Sequence, residues 1–169
     1  MSDWPDSKVR STALWYIGQH ITDPVAWRWT SVGEALQETS ALFALQPGES
    51  PIVGFFHSLE SWYALTTRRV LGAYAGIEVD VAALDVVSDH FGDFKGLGGQ
   101  ELDVMTLSLD ATVGPLPGSW EDVLETRGRA VLQYETGLAS MAPIYYFSYW
   151  TIKYPILHKL KDRLSGPPD

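Results

Sequence analysis

The pentapeptide "IEVDV", residues 77–81, restricts the fold more than any other stretch of this chain. Ile77, Val79 and Val81 fall on one side of a period of two, and Glu78 and Asp80 on the other. That spacing suits a strand with one buried face and one wet acidic face, which is the habit of antiparallel sheets. "ELDVMTLSLD" alternates in the same way, with Leu102, Val104, Thr106 and Ser108 against Asp103, Met105, Leu107 and Leu109. "PIVGFFHS", "WYALTT", "RRVLGAY", "LDVVSDHFGDFKG" and "RAVLQYETG" read as further strands, with Gly72 and Gly76 near turns. "GPLPGSWEDVLETRG" reads as a loop carrying one helical turn started by Ser119. Antiparallel strands are therefore expected between about residues 50 and 137, within one domain: 169 residues, 46% hydrophobic, build one core.

Helical spacing flanks this region. "SKVRSTALWYIGQH" sets Val9, Ala13, Tyr16 and Ile17 on one face behind Ser7 as N-cap. "SVGEALQETSALFALQPG" opens with a capping-box pattern from Ser31 to Glu34, and Val32, Leu36 and Phe43 predict an amphipathic helix ending at Pro47-Gly48. "PIYYFSYWTIKYPILHKLKDRL" predicts a C-terminal helix with Pro143 in its first turn, a strand over "IYYFSYW" being the competing reading. Tyr146, Trp150, Leu157, Leu160 and Leu164 form its stripe, and Lys159, Lys161 and Arg163 close it. Pro155 either kinks that helix or starts a second one.

Charge narrows the partners. The net charge is −9, and eleven acids between Gly76 and Thr126 meet only Lys95, so this third carries −10 and the remainder +1. Such a field repels nucleic acid and anionic lipid and attracts basic proteins. The chain has no cysteine, which removes thiolate and disulfide chemistry and suits a reducing cytoplasm. It shows neither a secretory leader nor an apolar run long enough to span a bilayer. The expectation is a cytoplasmic protein with no membrane and no nucleic-acid partner.

The stretch "PIVGFFHSLESWYALTTRRVLGAYAG", followed by "DHFGDFKG", "VLQYETG" and the C-terminal helix, resembles the bacterial pleckstrin-homology-like domains over about residues 49–164. The resemblance implies an α+β fold: an antiparallel barrel with a helix laid across its open end, here with helical N-terminal additions. In such domains a "T-x-R-R" segment closes a hairpin, and the arginines cover a sheet edge. Alternation places Arg68 and Arg69 on opposite faces, so a shared phosphate is not expected.

No constellation for catalysis, metal or cofactor emerges. His20, His57, His90 and His158 lack metal-ligand spacing, and Ser58, Ser61 and Ser140 lack a nucleophile elbow. The glycines of "KGLGGQ" precede no helix, so they cradle no phosphate. The candidate residues are instead partner-binding: Asp89 and Asp93 in one turn, Asp110 at a strand end, and Glu121, Asp122 and Glu125 around Trp120 as an aromatic anchor. A small, acidic, cysteine-free binder fits an immunity protein, an antitoxin that occludes a basic cognate toxin. A ligand-binding or scaffolding module of the same fold is the alternative.

Overall fold

The computed structural model describes residues 4–33, 37–110 and 128–164. Within them the fold is α+β. Helix α1 (Asp6–Gly18) precedes strands β1 (Thr30–Val32), β2 (Pro51–Ser58), β3 (Ser61–Thr66), β4 (Arg69–Tyr74) and β5 (Ile77–Ala82), with the single helical turn α2 (Gln37–Ser40) between β1 and β2. Strands β6 (Val86–Phe91), β7 (Leu102–Leu109) and β8 (Arg129–Glu135) follow, then helices α3 (Met141–Ser148) and α4 (Tyr154–Leu164). All ladders are antiparallel, and the sheets run β1-β2-β3-β4-β5 and β6-β7-β8. Among the described residues these remain two sheets, and no ladder closes them into the barrel the resemblance implies.

Alternation explains which face is buried. Phe55 and Tyr63 are cross-strand partners and stack with centroids 5.1 Å apart on the inner face of the large sheet. Leu65, Val70 and Val79 share that face, and Ala130, Leu132 and Tyr134 of β8 join the same core. Gly72, expected near a turn, lies within β4 opposite Tyr63 and lets the sheets approach. A Cβ there would stand 2.6 Å from the Trp62 carbonyl oxygen and 2.7 Å from the Leu132 side chain. On the outer face, Trp62, Ala64 and Leu71 form a second cluster with Leu42 and Phe43, whose ring stacks on Trp62 at 5.7 Å.

Helix α1 buries Val9, Ala13 and Ile17 as its spacing requires, but it starts at Asp6 behind Pro5, not behind Ser7. Of the helix expected from Ser31 to Pro47, only the turn Gln37–Ser40 is helical among the described residues, and Ser31 and Val32 lie in a strand. Thr30–Val32 pairs with Val53–Phe55, the Gly33 N–H donates to the Ile52 carbonyl at 2.8 Å, and the Arg10 guanidinium donates to the Gly33 carbonyl. Strand pairing at the edge of β2 overrides the capping pattern, while Leu36 lies outside the described residues.

At the other end, a π-helical turn (Tyr149–Lys153) joins α3 to α4, and the Tyr154 N–H donates to the Tyr149 carbonyl five residues back. Pro155, which has no N–H to donate, is accommodated immediately after it, so the helix continues through the proline. The wider turn also offsets the drift of an α-helix, in which every fourth residue advances about 40°. Tyr146, Trp150 and Tyr154 therefore all stay buried. Leu160, expected in the same stripe, is 48% exposed.

Two substitutions test this packing. Gly72→Ala should destabilise by about 2–3 kcal/mol in urea unfolding, because the clash involves backbone. Ala75, held at φ 52 beside Gly76 in the two-residue β4–β5 turn, is strained. Ala75→Asn supplies the residue such turns favour and should stabilise by about 0.5–1 kcal/mol.

Candidate functional site

The segment Thr66-Thr67-Arg68-Arg69 turns the chain from β3 into β4. Arg68 stands between the strands and escapes the alternation. Both arginines therefore line one cavity of about 260 Å³, together with Thr67, Leu84 and Trp150. This corrects the expectation of opposite faces: the side-chain period of a sheet stops where the ladder stops.

The guanidinium groups are engaged by carboxylates. Arg68 donates from Nε and Nη2 to Asp6 at 3.0 and 2.6 Å, and further to the Pro47 carbonyl at 3.1 Å. Arg69 donates from Nε and Nη2 to the two oxygens of Glu49 at 3.0 and 2.8 Å, from Nη1 to Asp80 at 3.0 Å, and to the Ala44 carbonyl at 2.9 Å. The Thr66 hydroxyl donates to Glu49 at 2.6 Å, and the Thr67 hydroxyl to Asp6 at 2.5 Å. From the C-terminal helix, the Tyr146 hydroxyl donates to the Thr66 carbonyl at 2.8 Å. Three carboxylates thus face two arginines, and the site has no spare positive charge for an anion.

The electrostatics follow from this geometry. The bond from Arg68 holds the Asp6 carboxyl below its usual range, against the opposing pull of desolvation. Burial pushes Glu49 up, yet the bonds from Arg69, the Gln46 N–H and Thr66 together outweigh it, so this carboxyl is also lowered. Burial moves Tyr146 far up and Tyr149 to about 12, so both stay neutral donors at physiological pH.

The acids singled out from the sequence do not converge. Asp89 lies within β6, opposite Leu107, and not in a turn. It is half-buried, and desolvation raises its carboxyl. Asp93 does lie in the turn, where its two oxygens accept from the N–H groups of Leu97 and Gly98 at 3.0 and 2.5 Å. Asp103 accepts from the Asp93 N–H at 2.6 Å. These carboxylates shape the glycine-rich loop that follows β6. Asp110 follows β7, beyond the Val86 end of β6, whereas Asp93 lies past the Phe91 end. Trp120, Glu121, Asp122 and Glu125 lie outside the described residues.

Sequence reading missed Asp6, Glu49 and Glu135. Glu135 accepts from the Arg28 N–H at 2.8 Å, the Trp29 N–H at 3.0 Å and the Thr30 hydroxyl at 2.8 Å, tying β8 to the segment that leads into β1. No local pattern marks these acids, because their partners lie far along the chain. Three of the four histidines sit against rings: His20 stacks on Tyr145 at 3.7 Å, His57 meets the edge of Trp29 at 5.3 Å, and His158 lies 5.7 Å from Tyr154. Among the described residues no group of three or more acids or histidines is placed to hold a metal ion, and no helix is long and apolar enough to cross a membrane.

Comparison with protein-family models, with curated proteins and with solved structures gives no match to this chain.

Glu49→Gln should cost about 3 kcal/mol in urea unfolding, because it removes the buried half of the ion pair with the half-buried Arg69. Both Asp6 and Glu49 are lowered on folding, so their contribution is full above the unfolded carboxyl range and is lost as pH falls through the folded values. The urea midpoint should therefore drop below about pH 4, and the drop should be shallower in the Asp6→Asn, Glu49→Gln double variant.

Proposed function

We propose that this chain is a non-catalytic binding protein whose partner is a basic protein, and that it serves as an immunity protein in the cytoplasm, occluding a cognate toxin. The carrying observation is where the fold spends its cations. Arg68 and Arg69 are consumed by buried or half-buried carboxylates, and Arg10 is spent on a backbone carbonyl. Arg28 lies over Trp29 at 4.6 Å, Lys95 over Phe94 at 5.7 Å, and Lys153 over Trp15 at 5.5 Å. With these positive groups turned onto the protein itself, a chain of net charge −9 has few cations left to offer an anionic partner. A surface of that kind accelerates encounter with a basic partner and resists anionic ones. The order of antiparallel strands followed by a C-terminal helix supports a pleckstrin-homology-like plan, in which binding is the common use of the scaffold.

A second reading, a small-ligand module of the same plan, draws on the 260 Å³ cavity beside Trp150 and the paired arginines.

The test is co-expression. A basic protein retained by this chain from the source cells at about 0.1 M salt, and released at about 1 M, should be toxic when expressed alone and harmless when both are expressed. Retention unaffected by salt, or toxicity unaffected by this chain, would refute the immunity reading. Vesicles of anionic lipid should not sediment the protein, because Arg68 and Arg69 are already paired.

A further inference from the structure

Strand β5 forms one edge of the large sheet, and among the described residues nothing pairs with its outer side. The register fixes which backbone groups it presents there. Tyr74 pairs with Ile77 across a two-residue turn, and the Ala83 N–H donates to the Arg68 carbonyl at 2.8 Å beyond the far end of the ladder. In an antiparallel ladder, hydrogen-bonded pairs alternate with unbonded ones. Ile77, Val79 and Val81 therefore bond to β4, while Glu78 and Asp80 turn their N–H and C=O groups to the open edge.

The surroundings of this edge are chemically divided. A cleft of about 730 Å³ separates β5 from the second sheet; Ile77, Val79, Val81, Leu109, Ala130 and Val131 give it apolar lining, and Glu78, Asp80, Thr106 and Arg129 border it as well. Ile77 is 68% exposed and Val131 38%, so the apolar wall is accessible. On the outer side stand the carboxylates of Glu78 and Asp80, the latter still 62% exposed although it pairs with Arg69. Arg129 stands on the cleft wall and repels a cation directed inward.

We propose that β5 is the docking edge for an extended segment of the basic partner, which adds to the sheet as a sixth strand. This rests on the binding function proposed above and specifies its site and the chemistry it reads. Backbone groups of the incoming strand bond to those of Glu78 and Asp80. Its residues opposite these two place side chains beside the carboxylates and should be lysine or arginine. The residues between them point into the cleft and should be apolar. The recognised pattern is thus basic–apolar–basic–apolar, held by main-chain bonds and selected by alternate side chains. The acids also serve the free protein, since charge on an edge strand opposes pairing between copies.

The probe is a synthetic peptide of about nine alternating lysine and valine residues, compared with a peptide of the same composition in which the lysines and valines are blocked together. Binding is read by amide hydrogen exchange and by titration on the full chain. The alternating peptide should slow exchange at Glu78 and Asp80 and bind at least about tenfold tighter than the blocked one. Glu78→Pro removes one outward N–H and leaves the bonds to β4 intact, so it should weaken binding about tenfold while the protein stays folded. Glu78→Gln should weaken it about threefold and flatten its salt dependence.

Equal binding of the two peptides, or full binding by Glu78→Pro, would overturn the proposal. So would amides of Glu78 and Asp80 already protected in the free protein, because the chain itself would then cover the edge. If the peptide fails while a basic toxin is still neutralised, β5 is not the site and the binding function stands. If both fail, the function falls with it.

Discussion

The carboxylate of Glu49 has 0% of its side chain exposed, and the rest of the architecture is arranged around keeping that charge satisfied. A buried carboxylate without partners would cost several kcal/mol or give up its charge. Here Arg69, Thr66 and the Gln46 N–H supply donors, and Arg69 carries the link on to Asp80 of β5. Beside it, Arg68 and Thr67 bind Asp6 at the start of α1, and Tyr146 of α3 bonds the same turn. Two terminal helices, the loop before β2 and strands β3 to β5 thus meet at one clasp. Such a network adds little net stability over apolar packing. Its effect is to penalise any arrangement in which one of these pieces is misplaced.

The clasp also sets the electrostatic character of the surface. A chain with 12 basic and 21 acidic residues has few cations to spare, and the fold commits several of them to its own carboxylates and rings. Exposed acids remain on strands and loops, Glu78 and Asp80 among them. Sheet geometry then places Glu78 and Asp80 along an edge of the large sheet that borders a cleft lined in part by Ile77, Val79 and Val131. Charge, open backbone groups and accessible apolar surface coincide there because three local rules act on one strand: the period of two, the alternation of ladder bonds and the end of the sheet.

Much of this was legible in the residues. "RAVLQYETG" formed a strand with the buried face its alternation requires, "IEVDV" formed a strand that buries Val79 but leaves Ile77 exposed, and α1 buried the predicted Val9, Ala13 and Ile17. The C-terminal helix was legible too, though its π turn was not: the signal lay in the four-residue spacing of Tyr146, Trp150 and Tyr154 ahead of Pro155, which an unbroken α-helix cannot keep on one line. The helix expected after Ser31 failed because a capping pattern describes only a few neighbouring residues. Val32 was claimed by β2, some twenty residues further on. Asp89 was misjudged for the opposite reason, since turn-like composition around it hid a regular position in β6.

By itself, the sequence determined what depends on near neighbours: the strand and helix periods, the hairpin turns, the acidic excess and the lack of thiol chemistry. Only the tertiary structure decided the fate of each charge. Asp6 and Arg68 are 62 residues apart, and Glu135 and the Arg28 N–H 107, yet each pair lies within hydrogen-bonding distance. Periodicity is a property of backbone geometry repeated residue by residue, so it can be read along the chain. The partner of a charged side chain is a property of distance in space. Sequence order does not carry that distance until the sheets and helices have packed.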